Sequence, residues 1–420
     1  MRKAVACLQS AIEGAEQRTR KRRTDDAKRF YLACEVLLCN LLALSIAAPG
    51  ARLQVYLERH SLKHSRALGT QHALSVKAMQ QLGLLELRPN ERNRLGSDIR
   101  TLSSVLPTAA LKSFLYGLNI EDVRLLRNTS APLVLRGFKD AAGNAPQLEW
   151  THTSETRLMS ERMREVNDFM HSLDVTYTGK QAWLAKTSKP TAWLRHIVTP
   201  QHTRSVRIFN DCSFAFGGRL NFGWWVQFGK VEREQHIKLQ GEPVVHCDYS
   251  SMYLHLAYHH YGIAWPFADG VNGYVPDVDY GDPQSWKEVT SAMLASKRVI
   301  EQFPGKTQDE RNAMQRCFHD MPARDVYAAV RARHPALTDA GAFGCGLSNQ
   351  LARQESDLIV ELLRRLQAVD VHVLPVHDCI VTPASKAAFV LDLMQSTATE
   401  FLGVHLPVKL DVAERPYAVV

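Results

Sequence analysis

The sequence predicts an α+β chain in which a basic, mainly helical front is followed by a part built on strands. Helix-period apolar spacing dominates roughly the first hundred residues. Short β-rich runs bounded by Gly and Pro take over later, as in PLVLRGF and PVVHC. Charge divides the same way: residues 1–100 carry 18 Lys or Arg against 9 Asp or Glu, a net +9 within a whole-chain +8, so the other 320 residues sum to −1. A basic front suits contact with a phosphate backbone, and equally a solvated basic surface.

At 420 residues, 45% hydrophobic and 22% charged, the chain is long enough for two or three packed domains. The expected divisions are a basic nucleic-acid-binding region over 1–120, connecting strands and a helix over 121–204, and a larger domain over 205–420. The eight cysteines include no CxxC pair and no disulfide-like spacing, so a reducing cytoplasm is expected. The apolar stretch Tyr31 to Ala48 contains Glu35 and Asn40 and stops at Pro49-Gly50. It reads as a buried helix, and no membrane partner is expected. The opening MRKAVACLQSAIEGAEQ lacks the uninterrupted apolar core of a signal peptide.

Arg18, Arg20, Lys21, Arg22 and Arg23 cluster just before Thr24, Asp25 and Asp26, which offer a cap and dipole-matched acids to the apolar helix that follows. The cluster is either a phosphate grip or a solvated helix face. Helical spacing from Leu74 to Leu82 ends at Gly83 and passes into the strand-like LLELR, after which Pro89-Asn90 and Gly96 punctuate a basic hairpin. Helix, helix and basic hairpin is the order of a winged-helix DNA-binding module, and also of many other small helical domains. A strand pair is expected from APLVLRGF and QLEW around Gly143-Asn144, then a charged helix over SETRLMSERMREVNDFMHSL.

Pro243 to Cys247 form a short apolar run that ends in Asp248, and Ser250 to Tyr261 takes on helical spacing. An acid where a buried strand turns into a helix projects into a cleft, although a helix-capping Asp looks the same. A second acid narrows the choice. The β-rich runs VHVLPV and CIVTP flank His377-Asp378, which puts that pair at a tight strand turn. Two aspartates brought together there make a hard oxygen site suited to two Mg2+ ions, with Mn2+ as a substitute. Such a site activates an attacking hydroxyl and stabilises the leaving oxygen in phosphoryl transfer.

These segments resemble the palm motifs of family A DNA polymerases and the single-subunit phage-type RNA polymerases. Asp248-Tyr249-Ser250 resembles the first carboxylate motif, and His377-Asp378 the His-Asp turn of the third. Upstream, Gly218-Arg219-Leu220, then Gln227 and Arg233, resembles the segment that touches primer and template. The helix expected from about Leu351 to Gln367 stands where the family places the helix behind its third motif. The match covers roughly residues 205–415. It implies a polymerase palm, an antiparallel sheet with helices, carrying small helical fingers inserted over about 262–345. It further implies template-directed primer extension on DNA with dNTPs, Asp248 and Asp378 as catalytic metal ligands, and Arg219, Gln227, Arg233 and His377 at primer and template. Tyr253 resembles the steric gate beneath the incoming sugar, and its bulk implies deoxynucleotides.

The sequence also departs from the family. No Arg and Lys four residues apart occur in SWKEVTSAMLASKRVIEQF, so Lys287, Lys297 and Arg298 are the cations available to a triphosphate. Ala352 replaces an expected Gln, with Gln350 and Gln354 on either side, and Cys379 stands where a Glu is usual. Trp224 and Trp225 are candidates for base stacking or for the core. His246, His255, His259 and His260 lack a Cys partner at zinc-ligand spacing. There is no GxxxxGK[ST] phosphate loop and no GxSxG elbow. An RNA polymerase, primase or terminal transferase using RNA or NTPs is one alternative. A non-catalytic DNA-binding protein on a degenerate polymerase scaffold, motivated by the missing Arg and Lys, is the other.

Overall fold

The computed structural model describes residues 2–15, 20–47, 52–55, 69–88, 103–116, 132–140, 145–179, 203–221, 223–305 and 307–411. The chain is α+β with several antiparallel sheets. It forms two compact units, one from residues 1–127 and 180–202, the other from 128–179 and 203–420.

The first unit runs α1 (Arg2–Ala15), α2 (Thr24–Ala47), β1 (Leu53–Gln54), α3 (Gly69–Gln81), β2 (Leu85–Arg88), β3 (Ser104–Pro107) and α4 (Ala109–Tyr116). Asp25 and Asp26 occupy the first turn of α2, where the helix dipole favours negative charge. The apolar stripe of α2, Phe30, Cys34, Leu37, Leu38, Leu41 and Leu42, is buried in one cluster with Leu8, Ile12, Val76 and Met79. That stripe therefore faces protein. No helix among the described residues is long and apolar enough to cross a membrane. Gly83, at φ +68°, ends α3, and the Leu84 N–H reaches back to the Met79 carbonyl at 2.9 Å, a helix stop that favours glycine. The strands pair antiparallel in the order β1-β3-β2. The hairpin tip expected near Pro89 to Gly96, and Arg18 of the basic cluster, lie outside the described residues.

The second unit opens with β4 (Leu133–Arg136), β5 (Gln147–Leu148), α5 (Ser154–Ser172), β6 (Val175–Tyr177), β7 (Val206–Phe209) and β8 (Gly217–Asn221). The segment read as a connection thus contributes strands and a helix to this unit. Thr153 and Thr156 cap α5 reciprocally. β4 and β5 pair antiparallel as expected, around a turn outside the described residues. β4 also pairs in parallel with β7, giving a mixed sheet of order β5-β4-β7-β8.

There follow α6 (Lys230–His236), β9 (Ile237–Leu239), β10 (Glu242–Tyr249) and α7 (Met252–His260). Four helices come next, α8 (Pro283–Ala295), α9 (Gln308–Cys317), α10 (Ala323–Arg333) and α11 (Pro335–Asp339), in the interval expected to be a helical insertion. The chain ends its described part with α12 (Ser348–Ala368), β11 (Leu374–Val376), β12 (Cys379–Pro383), α13 (Ala387–Leu402) and β13 (Val408–Asp411). The second sheet has the order β11-β12-β10-β9-β6, with β13 on the other side of β10. Helix α13 packs against β10, where the Tyr249 hydroxyl donates to the Met394 carbonyl at 2.8 Å.

An arginine ties the mixed sheet to α12. Arg207, 2% exposed, donates from Nε to the Gly218 carbonyl at 2.9 Å and from Nη2 to Ser356 Oγ and Asp357 Oδ1, both at 2.6 Å. Gly218 sits at φ +90°, and a Cβ there would lie 2.8 Å from Arg207 Nη2, Phe209 Cε1 and Ser356 Oγ alike. Only glycine fits this corner, and the corner sets where the next residue, Arg219, points.

Candidate active site

The strand β10 alternates between two faces. Cys247 and Tyr249 turn toward α13, which leaves Asp248 on the opposite face, half-buried at the strand's end. β11 and β12 form a two-residue hairpin in which Val376 faces Cys379 and His377 takes φ +58° at the tip. In the β10–β12 ladder Asp248 faces Cys379. Asp378 is the residue before Cys379, so the register itself brings the two aspartates together.

Electrostatics reflect that proximity. Burial, then the Asp378 carboxylate, push the Asp248 acid up from 3.8 to about 7, with Lys409 and Lys287 pulling the other way. Two close carboxylates that resist ionising together fit a hard divalent cation, whose charge removes the repulsion. No group of three or more His, Cys, Asp or Glu able to hold a metal occurs among the described residues. A magnesium ion held here would have two carboxylates, with its other positions open to backbone carbonyls, water and ligand phosphates.

Near the acids lies a polar triad built around one buried glutamate. Arg219 grips Glu355 through Nε–Oε1 at 2.8 Å and Nη2–Oε2 at 2.6 Å, and Nη2 also meets the Tyr253 hydroxyl at 2.5 Å. Glu355 is 1% exposed; burial raises its pKa, while Arg219 opposes the rise. The Tyr253 phenol is likewise raised, first by burial and then by Glu355. Asp378 adds to the upward shift of all three, so the triad lies within reach of that carboxylate's charge. No protein-family model matches this chain, and no curated protein is significantly similar to it.

The other expected residues divide. His377 and Gln227 are exposed, the first at the hairpin tip and the second at the end of the turn Trp224–Gln227. Arg219 keeps 40% of its side chain exposed, so one edge of the guanidinium faces outward. Arg233 does not: it is 8% exposed, with Nε on His246 Nε2 at 3.0 Å and Nη1 on the Phe228 carbonyl. His246 in turn donates from Nδ1 to Glu234 Oε1 at 2.9 Å, and burial followed by Arg233 holds it neutral. Arg233 is an internal brace beneath the site. Trp224 and Trp225 are core, 2% and 0% exposed, and Trp225 Nε1 donates to the Pro375 carbonyl at 2.7 Å, anchoring the hairpin.

Of the three candidate cations, Lys297 is committed to Asp211 at 3.0 Å, a carboxylate that Asn349 also holds at 3.2 Å. Arg298 is exposed on the loop after α8. Lys287, exposed on α8, is the one whose charge favours ionised Asp248. His255 stacks on Trp265 at 3.6 Å, and burial lowers its pKa to about 4, so it packs instead of ligating.

Three neighbours of the acids escaped the sequence reading. Glu355 carried a signal, an acid on the buried stripe Leu351, Leu358 and Leu362 of α12. Tyr274, 5% exposed, has its pKa raised by burial and then by Asp378, but nothing in its loop sequence sets it apart. Lys409 faces Asp248 across β13, a pairing that only the register reveals.

Proposed function

We propose that the second unit is the catalytic centre of a template-directed nucleotidyl transferase, a DNA polymerase that extends a primer. The observation that carries this reading is the β10–β12 register, which seats Asp378 beside Asp248, with Tyr253, tied to Arg219 and Glu355, within reach of the Asp378 charge. Asp248 and Asp378 would hold magnesium, which supplies Lewis-acid activation of the attacking hydroxyl and neutralises charge on the leaving oxygen. In the step, the primer 3′-oxygen bonds to the α-phosphorus as the α–β bridging P–O bond breaks. Pyrophosphate leaves with the electron pair, and the hydroxyl proton passes to water. Tyr253, clamped at its hydroxyl, cannot swing away from a sugar placed over it, so a ribose 2′-OH meets a fixed ring. Deoxynucleotides are favoured on that ground. Incorporation assays with dNTPs or NTPs, with and without template, test the reading. A template-dependent dNTP preference supports it; NTP preference or indifference to template moves the protein to the RNA polymerase, primase or terminal transferase class.

The first unit is proposed to bind duplex DNA as a winged-helix module. Its order of helix, strand, helix and hairpin, with β1 added beside β3, supports this. Leu74, Lys77, Gln80 and Gln81 of α3 are exposed, and a pocket of about 180 Å³ lined by Lys21, Arg22, Arg23, Asp26, Gln71 and Leu74 adjoins that helix. The basic residues suit phosphates and the glutamines suit adenine edges.

A further inference from the structure

The row of residues across the catalytic face has a direction. In the β10–β12 ladder Asp248 faces Cys379, and in the β10–β13 ladder it faces Lys409. Residues paired across a ladder project to the same face. From the hairpin outward the row therefore reads Cys379, Asp248, Lys409, with Asp378 beyond Cys379 at the turn. The second carboxylate lies on one side of Asp248 and an ammonium on the other.

Two cations near this face are already paired with carboxylates. Arg219, the cation near Asp378, is held in a two-pronged pair by Glu355. In the next row, Asp411 faces His246 and is paired with Lys230 at 2.6 Å. Lys409 is exposed, and among the described residues no salt bridge engages it. In an in-line displacement the attacking and leaving oxygens stand on opposite sides of the phosphorus, and the negative charge that develops on pyrophosphate needs cations beyond its metals. A lysine serves phosphate as a mobile point charge.

We propose that Lys409 on β13 forms the polyphosphate half of the site, so that the β- and γ-phosphates lie on the β13 side of Asp248 and the primer terminus on the Asp378 side. This orientation rests on the nucleotidyl-transfer reading. It also assigns to a single β-strand lysine part of the work that the sequence sought in a helical Arg and Lys.

The test uses the full chain, as wild type and as Lys409→Gln. Titration calorimetry measures binding of magnesium pyrophosphate, and fluorescence anisotropy measures binding of a primed template. Loss of one charge-assisted phosphate contact weakens pyrophosphate binding by about tenfold or more in the variant, while primed-template affinity stays within about twofold. Pyrophosphate affinity unchanged in Lys409→Gln, no measurable pyrophosphate binding by the wild type, or loss of primed-template affinity in its place overturns the proposal. A wild type that binds pyrophosphate in this Lys409-dependent way yet extends no primer sinks the polymerase reading and leaves the half-site standing. One that extends primers while Lys409→Gln binds pyrophosphate normally does the reverse.

Discussion

Replacing Asp248 by Asn is expected to stabilise the metal-free protein while removing its chemistry. Burial and the Asp378 charge raise the Asp248 acid from 3.8 to about 7. A carboxyl whose folded pKa is raised holds its proton more tightly folded than unfolded. Its ionisation therefore destabilises the fold, by nothing below pH 3.8, progressively more up to about pH 7, and by a constant amount above. At ~1.36 kcal/mol per pKa unit the ceiling is about 4 kcal/mol, and solvent access at the strand end reduces it to about 2 kcal/mol. For a domain of this size that is a rise of about 4 to 8 °C in Tm. Thermal melts of wild type and Asp248→Asn, without divalent cations, should coincide near pH 4 and separate toward pH 8, the variant melting higher. Magnesium should then raise the wild type and narrow the gap, because it binds the folded wild-type site. A variant that melts at or below the wild type at pH 8 would refute the claim that two aspartates are forced together here.

Other outcomes follow from the same geometry. Glu355→Ala leaves Arg219 without its carboxylate and unclamps Tyr253; it should cost about 2 kcal/mol in a melt and lower dNTP over NTP selectivity, whereas a purely structural role would leave selectivity intact. Tyr253→Ala should likewise relax sugar discrimination by about tenfold or more in competition assays, without loss of primed-template binding. Gly218→Ala meets both a φ of +90° and three side-chain atoms at 2.8 Å, so a loss of about 2 to 3 kcal/mol is expected by denaturant unfolding. Removing charge at Lys21 and Arg23 together should weaken duplex binding and shallow its salt dependence by about two phosphate contacts; an unchanged slope counts against the basic cluster as a phosphate grip.

Much of the candidate site was legible because its signals are local. An apolar run ending in Asp248 and a two-residue turn at His377-Asp378 can each be read within ten residues, and pairing them needed only one antiparallel ladder. The apolar stripe of α2, the stop at Gly83 and the span of α12 were legible for the same reason. What stayed hidden depends on contacts between residues far apart in sequence. The parallel pairing of β4 with β7 joins segments about 70 residues apart, and the Glu355 grip on Arg219 spans 136 positions. Arg233 reads as a nucleic-acid contact from its motif, yet its guanidinium turns inward because His246, on β10, offers an acceptor. Lys409 sits in VKLD, too short a strand to announce itself, and its meaning comes wholly from the residue opposite. The triphosphate cation could not be chosen from composition, since Lys287, Lys297 and Arg298 differ only in what lies nearby: Asp211 holds Lys297, and Asp248 draws on Lys287.

The central claim is that Asp248 and Asp378 act together on a primer terminus. Extension of a labelled primed template with magnesium and dNTPs, by the wild type, Asp248→Ala and Asp378→Ala, tests it most directly when template affinity is measured in parallel. Extension by the wild type and none by either variant is expected, with DNA binding retained in all three. Extension that survives either substitution, or a wild type that binds the primed template and adds no nucleotide, contradicts it.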